Sequence, residues 1–233
     1  VKETKSLTDK PFGVNLNLFP GLRPIPNEEY IEVLAEEGVR IVETSGHKAP
    51  EELMGRLKDA GCTCIHKCVG VRYARKAESI GADIVTTTSP FVARTVQKYH
   101  PEVEVRASIN MRIGTIKGMQ YLSDVFDSFH VQREYNRDLS YLRELKAWAD
   151  EAGKRLTMLV NSGCLIHCSG QSFHDNMVAH EAEIDECHNV TDWMAHTCWR
   201  YLQDPEHWVC LLQNTWVRPE DLHHYEDLFS VVK

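Results

Sequence analysis

The sequence has no apolar run near the roughly 18 residues that cross a membrane. Its opening Val1-Lys2-Glu3-Thr4-Lys5 lacks the apolar stretch of a secretory leader. Both absences predict a soluble, cytoplasmic chain with no membrane partner. Basic residues are in deficit: 26 Lys and Arg against 34 Asp and Glu leave a net charge of −8 and a pI near 5.8. That balance argues against wrapping a phosphate backbone, so nucleic acid is not an expected partner, whereas a small-molecule ligand is compatible with it. No Walker phosphate loop, Rossmann glycine fingerprint or nucleophile elbow occurs, which removes the usual signatures of nucleotide-binding and serine-hydrolase sites.

What is present is a length of 233 residues at 42% hydrophobic, enough for one large core. Short β-branched runs alternate with amphipathic helical patterns, and glycines mark the joints. Strands are predicted at 12–16, 39–44, 62–68, 84–86, 103–109, 129–132 and 156–160, with a last one at 229–232. Between them, helices are expected to start at Pro26-Asn27, Pro50, Val71, Ser89-Pro90 and Asp138. The last of these runs to Ala152, with Leu139, Leu142, Leu145 and Trp148 facing inward. Such alternation requires a parallel sheet, and eight units favour an α/β barrel of the (βα)8, TIM-like kind over an open sheet. The rhythm breaks after the seventh strand, where residues 162–207 form an irregular insertion rich in Cys, His and Trp.

In a reducing compartment eight cysteines point to ligands or buried thiols, not disulfides. Cys164 and Cys168 lie just past a strand end, and Cys187 and Cys198 fall in the same insertion. Four thiolates suit a tetrahedral zinc site or an iron–sulfur cubane, and spacing alone does not choose between them. The alternative is a set of separate buried thiols. His167, His174, His180 and His196 are further ligand candidates, each more often a packed histidine. Cys62, Cys64 and Cys68 alternate along the third strand and are expected in the core. Arg133 and Glu134 follow the sixth strand, where they would face the barrel mouth, and His223-His224 is expected in solvent.

Residues 1–86 resemble the nitronate monooxygenase (2-nitropropane dioxygenase) family. The likeness rests on Pro11-Phe12-Gly13-Val14-Asn15-Leu16, Val42-Glu43-Thr44-Ser45-Gly46, Ile65-His66-Lys67-Cys68 and Ala77-Glu78-Ser79-Ile80-Gly81-Ala82-Asp83. It implies an FMN-binding barrel in which Asn15 and Lys67, at strand ends, face the flavin. The family's opening Met-Gly-Gly turn, its Gly-Gly-His-Pro-Gly segment and its late glycine turn for the phosphate are missing, so weak FMN binding or none is expected.

Residues 87–233 resemble a second barrel family, the collagenase-like peptidases of unassigned catalytic type. The motifs are Ser89-Pro90-Phe91, Ala107-Ser108-Ile109-Asn110, Asn136-Arg137-Asp138, Asn161-Ser162-Gly163-Cys164-Leu165-Ile166-His167-Cys168, Phe173-His174-Asp175-Asn176 and Trp216-Val217-Arg218-Pro219-Glu220-Asp221-Leu222. Relatives there serve tRNA and ubiquinone hydroxylation. The resemblance implies an iron–sulfur cluster on Cys164, Cys168 and Cys198, with Cys187 or Cys210 as the fourth ligand.

Together the two resemblances imply an engineered chimera: a single barrel built from two four-unit halves joined between about Thr86 and Ser89. The leading expectation is a metal- or cluster-binding barrel with inherited chemistry and no assigned catalytic residue. An FMN-dependent oxidoreductase and a ligand-free scaffold are the alternatives.

Overall fold

The computed structural model describes residues 1–18, 26–45, 51–67, 70–74, 81–179, 197–229 and 232. A short helix α1 (Lys2–Leu7), which sequence periodicity did not indicate, precedes the first strand. Seven strands follow in the described residues: β1 (Gly13–Asn17), β2 (Ile41–Ser45), β3 (Thr63–Lys67), β4 (Ile84–Thr87), β5 (Glu104–Ala107), β6 (Ser128–His130) and β7 (Arg155–Thr157). They form one all-parallel sheet in sequential order, β1 to β7. The eighth strand expected at 229–232 is reduced, among the described residues, to a single parallel bridge between Val232 and Met158. Among the described residues the sheet is curled, and that bridge is its one contact with a closing strand; residues 230 and 231 lie outside the described residues.

Helices cross between successive strands: α2 (Asn27–Glu36), α3 (Glu51–Asp59), α4 (Val71–Ala74), α5 (Pro90–Tyr99), α6 (Ile116–Tyr121) and α7 (Leu139–Glu151). Their starts have local causes. Ser89 Oγ accepts from Val92 N with Pro90 in the first turn, Thr115 Oγ1 accepts from Gly118 N, and Asp138 Oδ1 accepts from Tyr141 N. Their ends repeat one device. At Gly61 and Gly153 the backbone turns left-handed (φ 74° and 63°), and the next N–H reaches back to the last helical turn, Cys62 N to Leu57 O and Lys154 N to Ala149 O.

Period-two alternation sorts the strand residues. Val42, Cys64, Val85, Val105, Phe129 and Leu156 are buried against the helices, where Phe129 meets Phe126 and Trp148 edge-on, ring centres 6.0 Å apart in both pairs. Cys62 precedes β3, and both Cys62 and Cys64 lie in this core as expected, while Cys68 falls outside the described residues. The buried apolar residues form two clusters. One runs from Leu16 to Cys64, the other from Ala74 to Phe229.

The insertion is more helical than its sequence suggested. Helix α8 (Gln171–Ala179) and a short helix at Thr197–Tyr201 occupy it, and a further short helix at Trp208–Leu212 follows directly. Phe173, Trp199 and Leu212 are exposed there, so these helices carry no clean apolar stripe for periodicity to detect. Among the described residues no helix is long and apolar enough to cross a membrane.

Candidate functional site

The inward-facing strand residues mix apolar and polar side chains. Gly13 and Asn15 of β1, Ile41 and Glu43 of β2, Ile65 of β3, Arg106 of β5, His130 of β6 and Thr157 of β7 line one cavity, together with Val232. Residues from both sheet edges therefore surround the same space, and Val232 stands near where an eighth strand would pass.

Asn15 and Lys67, the pair implied to face a flavin, converge on a carboxylate. Asn15 Nδ2 donates to Glu43 Oε1 at 3.2 Å, and Lys67 Nζ lies 3.0 Å from the same oxygen. The register explains the meeting: Asn15 pairs with Glu43 across β1 and β2, and Lys67 pairs with Ser45, two residues further along β2. Glu43 is 7% exposed, so its charge needs both partners.

On the opposite wall, Arg106 Nη2 binds Glu104 Oε1 at 3.0 Å and Arg106 Nε donates to Ser128 Oγ at 3.0 Å. Ser128 Oγ in turn donates to Glu104, which also pairs with Arg155. Sequence reasoning passed over Glu43, Glu104, Arg106 and His130. The available signal was a charge set between β-branched residues, Val42-Glu43-Thr44 and Glu104-Val105-Arg106, which in a two-faced strand marks a polar interior.

Cys164 and Cys168 follow β7 at the C-terminal mouth, and Cys198 lies in the first turn of the short helix Thr197–Tyr201. Burial pushes the Cys198 thiol above its usual range, and the nearby Cys168 and Cys164 push it further. Arg133 Nη1 donates to Cys164 Sγ at 3.5 Å while its Nη2 lies 3.4 Å from Asp175 of α8. Among the described residues no three His, Cys, Asp or Glu side chains are gathered tightly enough to hold a metal ion. Cys187, His180 and His196 lie outside the described residues. Cys210 faces elsewhere, its sulfur 3.6 Å from the Tyr201 hydroxyl. His167 holds a left-handed turn (φ 55°) between Cys164 and Cys168, and His223 and His224 are exposed as expected.

The loop carrying these cysteines is tied down by Asn136, fully buried, whose Nδ2 donates to Leu159 O at 2.7 Å and Thr215 O at 2.8 Å. Tyr225 OH donates to the Asn136 carbonyl at 2.8 Å, and Thr215 N donates to Cys164 O at 2.9 Å.

No protein-family model matches the chain. Two curated relatives match in part, both named (3aS,4S,5R,7aS)-5-hydroxy-7a-methyl-1-oxo-octahydro-1H-indene-4-carboxyl-CoA dehydrogenase. The protein from Rhodococcus jostii is 40% identical over 86 residues, 36% of this chain and 23% of its own length. The one from Mycobacterium tuberculosis is 36% identical over 84 residues, 36% of this chain and 22% of its own length. The chain thus spans about a quarter of the length of these relatives.

Among solved structures, a U32 peptidase superposes over 95% of this chain and 91% of its own at a TM-score of 0.59, with 14% identity. FabK from Thermotoga maritima covers 57% of this chain and 46% of its own at 0.47 and 24% identity, too loose a likeness to carry weight. What the first superposition establishes is the fold, a curled parallel α/β sheet of TIM-barrel type.

Proposed function

We propose that this chain is an enzyme-type barrel holding one metal centre, an iron–sulfur cluster or a zinc ion, at its C-terminal mouth. Cys164, Cys168 and Cys198 are its ligands, with Cys187 as the fourth. The observation that carries the reading is that Cys198 senses both other thiols from across the insertion, although 30 residues or more separate it from them in sequence. The donor chemistry fits, because thiolates bind either centre. Arg133 also fits: its guanidinium donates to Cys164 Sγ at 3.5 Å and so stands beside the proposed ligand set. A cluster would supply electron transfer, and a zinc ion Lewis acidity or a structural tie. The chain's own contribution is to hold Cys164 through Thr215 and Asn136 and to place Arg133 and Asp175 beside it.

In the same reading the front half binds no FMN tightly, since Asn15 and Lys67 are engaged with Glu43. The join of two parental halves near residues 86–89 rests on the two sequence resemblances. The sheet runs through that region without a break, β4 pairing with β3 and β5 alike. Metal and labile-sulfide analysis tests the proposal. Iron with sulfide, or zinc, is expected in the parent chain and is expected to fall in Cys168→Ser, and metal content unaffected by that substitution would refute it.

A further inference from the structure

The cavity inside the curled sheet lies apart from the cysteines and has a charge pattern of its own. Arg106 and Arg155 share the carboxylate of Glu104, but the Arg155 side chain is 62% exposed and stands outside the cavity lining, so the cation that faces the cavity on this wall is Arg106. Across the cavity Glu43 is matched by Lys67. Arg106 is 5% exposed, and a guanidinium so deep in the protein, paired on one edge with Glu104, interacts with a group in the cavity through a low dielectric and is screened little by salt.

An orphaned donor stands beside it. Thr157 lines the cavity at 4% exposure, and its Oγ1 has no hydrogen-bond partner among the described residues. Thr86, in register with Arg106 one strand away, likewise holds a buried hydroxyl without a partner there. A buried hydroxyl left unpaired costs about 1–3 kcal/mol, so two of them near a buried guanidinium mark a place built for something else. The cavity measures about 50 Å³. That exceeds the roughly 10–15 Å³ one water needs, and it suits a compact polar group, not a whole cofactor.

We propose that the barrel interior is a binding site for a small oxyanion, a carboxylate or a phosphate group, held by Arg106, His130 and the Thr157 hydroxyl. A guanidinium fork and a hydroxyl donor match the oxygens of either group, and the Glu43 wall limits how far the ligand extends.

The test titrates acetate and inorganic phosphate separately into the full chain at constant ionic strength made up with chloride, read by calorimetry and by the melting temperature. Saturable binding of at least one anion is expected, and the anion that binds identifies the source of the oxyanion. Thr157→Val keeps the side chain's shape and removes the orphaned hydroxyl, so the unliganded variant should melt at or above the parent temperature while its affinity falls about tenfold. Arg106→Lys keeps the charge but loses the fork and should weaken binding by roughly ten- to a hundredfold. Failure of both anions to bind overturns the proposal, as does binding that Thr157→Val and Arg106→Lys leave unchanged. Metal content is unaffected by Thr157→Val under either outcome, so this site and the cysteine centre stand or fall separately.

Discussion

Burying a neutral imidazole ties the fold's stability to pH, and His66 does so on β3. It is 2% exposed, shares a 2.9 Å hydrogen bond between its Nδ1 and Thr44 Oγ1, and burial lowers its pKa to about 4. A histidine depressed in the fold contributes stability that is complete above its unfolded pKa of about 6.5 and is lost as pH falls through the folded value. The window therefore runs from about pH 6.5 down to about 4, and the loss is on the order of 3 kcal/mol. Urea denaturation across that range should show the decline, and an NMR titration of His66 with a midpoint near 6.5 would contradict it. Cys64 behaves oppositely: burial raises its thiol to about 11, so it should resist alkylation at neutral pH in the folded chain.

At the scale of elements, the motif Asn136-Arg137-Asp138 ties the strand ends together. Asn136→Ala leaves the Leu159 and Thr215 carbonyls without their donor, and should cost roughly 2–4 kcal/mol and loosen residues 161–175 before the barrel, as hydrogen exchange can show. Much of this level was legible in the sequence. Seven strands fell where β-branched runs and glycine stops placed them, and the expected helix from Asp138 to Ala152 is α7, with Leu142 and Leu145 fully buried and Leu139 and Trp148 packed at the core's edge.

Several features were less legible, for physical reasons. The eighth strand expected at 229–232 is described only in part: residues 230 and 231 lie outside the described residues, and Val232 makes a parallel bridge to Met158 just past β7. The helices at Thr197–Tyr201 and Trp208–Leu212 escaped notice because short exposed helices need no amphipathic stripe. Asp83 and Asp127 also passed unread: each precedes a strand and caps the neighbouring one, accepting from Cys64 N at 2.7 Å and Val105 N at 2.9 Å, and such cross-strand ties have no local signature. At the candidate site, the cysteines were legible as a group, whereas the convergence of Asn15 and Lys67 on Glu43 depends on sheet register.

For the whole molecule, the continuous sheet and the division of its core bear on how the halves depend on each other. Ala74, Ala82 and Val85 pack in the cluster that includes Val92, Phe126 and Phe129, so a cut after residue 86 removes part of the larger core from the back half and exposes a strand edge on both pieces. Residues 1–86 and 87–233 expressed alone are expected to lack cooperative melting, and two independently melting pieces would refute a single barrel. The central claim concerns the cysteines, and its most direct measurement is metal and labile sulfide per chain in protein purified without oxygen, for the parent and for Cys164→Ser, Cys168→Ser and Cys198→Ser. The account predicts one centre per chain, diminished by each substitution with the barrel still folded. Metal-free parent protein in which Cys164, Cys168 and Cys198 are all freely alkylated would contradict it.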